Sequence, residues 1–254
     1  MNVETAIKQF SRLNTAMDVL LRDDVNNKVR IIVCSGTAGV GKSHTVLKRL
    51  EAEHEKGNIN LFTLEGDTSP VHMYMKLYEA RHNYSVLVID DSDSILRTRV
   101  GLEFLKHATE SNRRIVQYNK QSTILKHKQI PNHFEFNGKI IVLSNIDFAE
   151  EMVNNKSLGE HYTAVLSRGT YVDLVFKTRS DIIAYIEYVM KKTRMLQLQG
   201  VSMREEQQII EFMHQNINSL ITITLRTPTI IGSILINDDT NWRDTAKALL
   251  CRGY

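Results

Sequence analysis

Gly36-Thr-Ala-Gly39-Val-Gly41-Lys42-Ser43 leaves this chain little freedom of fold. The stretch satisfies G-x-x-x-x-G-K-[ST], follows the apolar run IIVCS and precedes SHTVLKRLEAEHEK, which has helical spacing. A loop of this kind works between a buried strand and a helix N-terminus. Its glycines let successive amides turn inward toward phosphate oxygens, and the helix end adds partial positive charge. A triphosphate site and a strand-loop-helix unit are therefore predicted together. The binding stretch runs from Gly36 through Thr37, Ala38, Gly39, Val40, Gly41, Lys42 and Ser43 to His44. Lys42 is expected to reach the β- and γ-phosphates of ATP, and the Ser43 hydroxyl to hold Mg²⁺.

The flanking sequence agrees with that unit. Apolar runs at 29–34, 60–64, 85–90, 139–144 and 171–176 alternate with helical patterns at 42–56, 69–81 and 98–110. Strands without apolar and polar alternation are covered on both faces, so the pattern predicts a three-layer αβα core with a mostly parallel five-stranded sheet. Ahead of it, Ala6, Phe10, Leu13, Met17 and Leu20 recur at helical spacing over 3–22. Beyond 177 the pattern turns helical: a segment at 180–192, a second opened by the capping pair Ser202 and Glu205, and a last one starting near Asp239 or Thr240. LITITL at 220–225 has strand-like composition inside this region, and periodicity leaves its state open. The expected division is 1–28 as N-terminal helix and linker, 29–177 as nucleotide-binding core, and 178–254 as a small helical lid. No apolar run is long enough to span a bilayer, and the amphipathic N-terminus lacks the form of a secretory signal, so a soluble, cytoplasmic chain with no membrane contact is expected. Cys34 and Cys251 have no metal-ligand or redox spacing.

A phosphate loop supports hydrolysis only beside a metal ligand and a group that polarises water. Val86-Leu-Val-Ile-Asp90-Asp91 supplies both at a strand end, where open parallel sheets bind ligands. Asp90 is assigned to the Mg²⁺ shell and Asp91 to the attacking water, with Asp93 a competing candidate. Asn145, ending the run KIIVLS, can hold the water or the γ-phosphate. Arg168, in SRG before the strand YVDLVF, and Arg226, after LITITL, carry guanidinium groups that match a γ-phosphate. A small-molecule kinase also uses a phosphate loop, but has no use for this later series. Lys and Arg number 32 against 29 Asp and Glu, too small an excess to indicate nucleic-acid binding by itself. Distribution says more: from 112 to 134 there is no acidic residue, but Arg113, Arg114, Lys120, Lys126 and Lys128 stand there with His127 and His133. A hairpin with arms at 113–118 and 133–136 is expected, and DNA contact through 113–128, with Tyr118 stacking a base.

In this order the motifs resemble the AAA+ ATPases over most of the chain: GTAGVGKS as Walker A, VLVIDD as Walker B, Asn145 as sensor 1, Arg168 as arginine finger and Arg226 as sensor 2. GDTSPVHMYMKLYEA, VLVIDDSDSI, HFEFNGKIIVLSN and SRG are similar to bacteriophage-encoded members with tasks around DNA replication. The resemblance implies ATP hydrolysis at subunit interfaces of a homo-oligomeric ring, a hexamer in the first instance, and remodelling or loading on DNA. For a phage-encoded member the compartment is the host cytoplasm. Two alternatives stay open, an ATP-gated loader or adaptor with negligible turnover and a remodeller of a protein substrate. The sequence departs from the family at Asp91, where Glu is usual, and at 63–67, where no Asn stands to hold that acid.

Overall fold

The computed structural model describes residues 1–22, 28–238 and 240–253. Helix α1 (Val3–Leu21) comes first, with Ala6, Leu13, Met17 and Leu20 of its apolar stripe fully buried. It is followed by β1 (Ile31–Gly36), α2 (Lys42–Glu55), β2 (Asn60–Glu65), α3 (Pro70–Glu79), β3 (Ser85–Asp90), α4 (Asp93–Leu96) and α5 (Arg99–Ala108). Next are β4 (Ile115–Gln117), α6 (Thr123–His127), β5 (His133–Glu135), β6 (Lys139–Ser144), α7 (Phe148–Asn154), α8 (Gly159–Leu166) and β7 (Thr170–Leu174). The remaining elements are helices: α9 (Arg179–Thr193), α10 (Met195–Gln199), α11 (Met203–Gln215), α12 (Arg226–Asn237) and α13 (Trp242–Leu250).

Five strands form one sheet in the order β2-β3-β6-β1-β7. Parallel pairing sets Glu65 opposite Asp90 and Ser35 opposite Ser144, with Asp90 also level with Leu143. Every residue of β1 and β3 is buried, and every residue of β6 after Lys139; two covered faces explain the unbroken apolar runs. The chain leaves β1 for the far edge, returns through β3 and β6, and then crosses to the other side of β1. This reversal brings the carboxyl ends of β1, β3 and β6 level, the place where such sheets bind ligands. The α/β class and the five-stranded parallel sheet expected from the sequence are both present.

The chain divides into two compact units. Phe10–Gly36 and Lys42–Asp173 make the sheet unit; Met1–Gln9, Thr37–Gly41 and the chain from Leu174 onward make the helical unit. The division falls inside α1 and takes the tip of the glycine loop into the helical unit. Residues 23–27 of the expected linker, and Asp239 at the expected start of the last helix, lie outside the described residues.

In the sheet unit, Tyr74, Leu87, Leu102, Phe136 and Ile140 share one buried core, each such side chain contributing about 1.5–3 kcal/mol. β4 and β5 pair antiparallel with Val116 opposite Phe134, the hairpin expected at the basic block, and α6 lies between them in sequence. The helical unit has its own core around Ile186, Ile209, Phe212, Ile231 and Trp242. The capping pair of α11 forms as predicted: Glu205 N donates to Ser202 Oγ at 3.3 Å and Ser202 N to Glu205 Oε2 at 2.7 Å. LITITL joins no sheet. Leu220 makes an isolated antiparallel bridge with Cys251, and the chain then turns into α12. Among the described residues no helix is long and apolar enough to cross a membrane.

Candidate active site

The glycine loop has the backbone its composition requires. Gly39 (φ +72°) and Gly41 (φ +97°) occupy the left-handed half of backbone space, which side-chain-bearing residues enter at a cost. Within the helical unit the tip of the loop is closely packed. Leu225 N donates to Gly39 O at 2.9 Å, Tyr185 Oη to Val40 O at 3.3 Å, and Phe176 N to Thr37 Oγ1 at 2.9 Å. A Cβ on Gly39 would stand 2.5 Å from Thr224 Cβ, so both conformation and space demand glycine. Ala38 is exposed and Val40 buried. Arg226 is the residue after Leu225, opens α12 and is exposed.

In the sheet unit, Lys42 opens α2 directly above β1 in sequence and is 7% exposed. Its Nζ donates to Gly36 O at 2.7 Å and to Asn145 Oδ1 at 2.9 Å. Burial pushes its pKa down, against the pull of Cys34, Asp91, Asp90 and Asp93. Ser43, next on the helix, faces the Asp90 carboxylate and acts to lower its pKa; His44 is exposed on the same turn. Asp90 ends β3 and is 9% exposed. Burial raises its pKa, and Asp91 and Glu65 raise it further, while Ser43 and Lys42 oppose them. The site thus holds a carboxylate at a cost, an arrangement suited to a cation.

Asp91 follows with φ +48°, a left-handed residue outside glycine that costs roughly 1–2 kcal/mol. Strain of this kind concentrates at functional sites. Its Oδ1 accepts from Asn145 Nδ2 at 3.1 Å. The Asn145 amide is therefore oriented unambiguously, its oxygen toward an ammonium and its nitrogen toward a carboxylate. Lys42, Ser43, Asp90, Asp91 and Asn145, nominated separately from the sequence, converge at the ends of β1, β3 and β6.

Arg168 is elsewhere. It follows α8, where its Nη2 pairs with Glu110 Oε2 at 2.9 Å and its Nη1 donates to Ala164 O. Two members of the basic block also differ from expectation. Arg114 donates to Gly138 O at 2.9 Å and lies 5.9 Å above the Phe136 ring, and burial lowers its pKa to about 10. Tyr118 is half-buried, with its ring 5.3 Å from Tyr74 and 6.3 Å from Phe104. Both belong to the packing of the hairpin, and Tyr118 is not a free stacking platform. Arg113, Lys120, Lys126, His127, Lys128 and His133 are exposed.

Sequence reasoning missed the role of Ser144. Its Oγ donates to Asp93 Oδ1 at 2.5 Å, and Asn145 N donates to Asp93 Oδ2 at 3.3 Å. A serine closing an otherwise apolar buried strand was the available signal. At the end of β2, where the AAA+ pattern has an amide, Glu65 is level with Asp90 and Gly66 N donates to Asp90 O at 3.2 Å.

No family model matches the chain. It is 30% identical over 231 residues to an uncharacterised 36.7 kDa protein of Enterobacteria phage T4, from the nrdC-mobD intergenic region, covering 91% of this chain and 71% of that one. Domain III of the replication initiation protein DnaA from Thermotoga maritima aligns at TM-score 0.52 and 13% identity, over 94% of this chain and 89% of its own. The ORC1 protein of Aeropyrum pernix, solved in complex with DNA, aligns at TM-score 0.52 and 14% identity over 95% of this chain. This chain spans 64% of the ORC1 chain, less than two thirds. At these identities the two structural likenesses are likenesses of fold.

Proposed function

We propose, from the premise that the chain belongs to one family with this phage T4 protein and has the AAA+ ATPase fold, that it binds ATP and hydrolyses it to ADP and phosphate. One observation carries the reading. A buried ammonium, Lys42 Nζ, is held by Gly36 O and Asn145 Oδ1 while Asp90 and Asp91 stand at the end of β3, the strand beside β6. In this reading the amides of 36–44 and Lys42 receive the phosphates, and Asp91 takes the proton of the attacking water. Asn145 holds that acid and the ammonium in register.

The residues fit Mg²⁺ bound together with its nucleotide. Ser43 and Asp90 are the proposed protein ligands, and among the described residues no cluster of three or more His, Cys, Asp or Glu would hold a metal alone. Magnesium commonly takes one or two protein ligands with substrate phosphates completing its shell, and it supplies charge neutralisation there.

Arg168, paired in cis with Glu110, is proposed to serve a neighbour's γ-phosphate in a homo-oligomeric ring. Arg226 is the proposed nucleotide-responsive arginine of the helical unit. The exposed Arg113, Lys120, Lys126 and Lys128 support contact with DNA, and the role proposed for that contact is in phage DNA replication. A second reading, an ATP-gated loader with negligible turnover, is favoured by one feature: Asp91 is a short acid already engaged by Asn145.

ATP turnover measured across a protein concentration series, with and without single- and double-stranded DNA, tests the proposal. Specific activity should rise with concentration. Arg168→Ala should cut turnover by about 10³–10⁵ while sparing nucleotide binding. ATP binding without turnover at any concentration selects the loader reading.

A further inference from the structure

We infer that Asp93 is a positioning residue of this site, holding Asn145 in place through Ser144 instead of polarising water itself; the inference rests on the ATPase reading above. Both carboxylate oxygens of Asp93 are occupied. Oδ1 accepts the Ser144 hydroxyl at 2.5 Å, and Oδ2 accepts the Asn145 backbone amide at 3.3 Å. Each oxygen of this half-buried carboxylate therefore has one lone pair committed to the end of β6.

The serine leaves little alternative. Ser144 is 1% exposed, and its Oγ also accepts from Ile146 N at 3.0 Å. Its single proton is therefore directed to Asp93, and without that carboxylate it has no water to turn to. Asp93 opens α4, three residues past the end of β3, and β3 pairs directly with β6. The two bonds thus fasten the loop after β3 to the turn after β6.

What they fasten is the backbone of Asn145. From that backbone the amide reaches Lys42 Nζ at 2.9 Å and Asp91 Oδ1 at 3.1 Å. Asp91 differs from Asp93 in the respect that matters: it is exposed and receives its side-chain hydrogen bond from Asn145. The clamp holds the asparagine, and the asparagine holds the acid. A displacement of about 1 Å in such a chain costs about 10²-fold in rate.

The experiment compares Asp93→Asn, Ser144→Ala, their combination and Asp91→Asn with wild type in the full chain. Three quantities are read: ATP turnover, ADP affinity, and the Asn145 side-chain amide resonance of the nucleotide-free protein. Asp93→Asn and Ser144→Ala should each lower turnover about 10- to 100-fold with ADP affinity kept within about threefold. The double variant should be no worse than the more damaged single one, because both break one linkage. Asp91→Asn should fall further, by about 10²–10⁴. The Asn145 resonance should move in both clamp variants. If Asp93→Asn does not fold, Ser144→Ala, which changes no charge, carries the comparison. Asp93→Asn at the Asp91→Asn level with Ser144→Ala at wild-type rate would make Asp93 the base and overturn the inference. An Asn145 resonance unmoved in the clamp variants overturns it too, whatever the turnover. Wild-type protein without turnover overturns the ATPase reading, a separate result.

Discussion

The cluster at the strand ends and the basic hairpin of β4 and β5 are both rich in polar side chains, yet they are built on opposite principles. At the strand ends Lys42, Asp90 and Ser144 are buried, and every contact described runs from one polar group to another. In the hairpin the order comes from aromatic rings, Tyr74, Tyr118 and Phe134, while Lys120, Lys126 and Lys128 stand in solvent. A buried polar network depends on each member, since an unpaired group there loses its full desolvation energy. Solvated charges act nearly independently, each with a modest, salt-screened effect. Substitutions should therefore be steep and coupled in the first region, shallow and additive in the second.

The largest contrast is expected at Asn145. Asn145→Ala removes the group joining Lys42 to Asp91, and turnover should fall about 10²–10³-fold, as for loss of a preorganised donor. The salt dependence of DNA binding should stay unchanged. If Asn145→Ala turns over at wild-type rate, the strand-end cluster is not a catalytic network.

A smaller, graded effect belongs to the hairpin. Replacing Lys126 and Lys128 by Ala should lower the slope of log affinity against log salt for single-stranded DNA by about 0.7 per lysine in contact, with basal turnover intact. Tyr118→Ala should instead lose about 2 kcal/mol of stability in a denaturant titration, because its ring is packed against Tyr74 and Phe104. A Tyr118 variant with wild-type stability and impaired DNA binding would reverse that assignment.

The smallest effect concerns pH. Burial raises the Asp90 pKa in the folded chain, so ionising it opposes folding. The wild-type carboxylate then weakens the nucleotide-free protein above the raised pKa and has no effect below the ordinary aspartate range. Asp90→Asn should raise the melting temperature at neutral pH, the gain shrinking as pH falls through that window, while turnover is lost. A gain that grows toward acid pH contradicts the sign.

Much of this was legible in the sequence because it is local. Buried strands show as unbroken apolar runs, and the phosphate loop carries its strand and helix on either side; Asp90 closes its own strand. Convergence of Lys42, Asp90 and Asn145 follows once β6 lies between β1 and β3. What stayed hidden depends on partners far apart in the chain. Arg168 pairs with Glu110 across 58 positions, and Ser144 with Asp93 across 51, distances at which no spacing rule operates. Tyr118 looked available because the rings packed against it come from α3 and α5. LITITL has the composition of a strand but no neighbouring edge beyond Cys251, so β propensity is not realised there.

Isothermal titration of the folded chain with ATP and Mg²⁺, wild type beside Lys42→Ala, tests the central claim most directly. Saturable binding of one nucleotide per chain by the wild type, abolished in a Lys42→Ala variant that still melts cooperatively, is the predicted result. No heat of binding from wild-type protein, or equal affinity in the two, would contradict it.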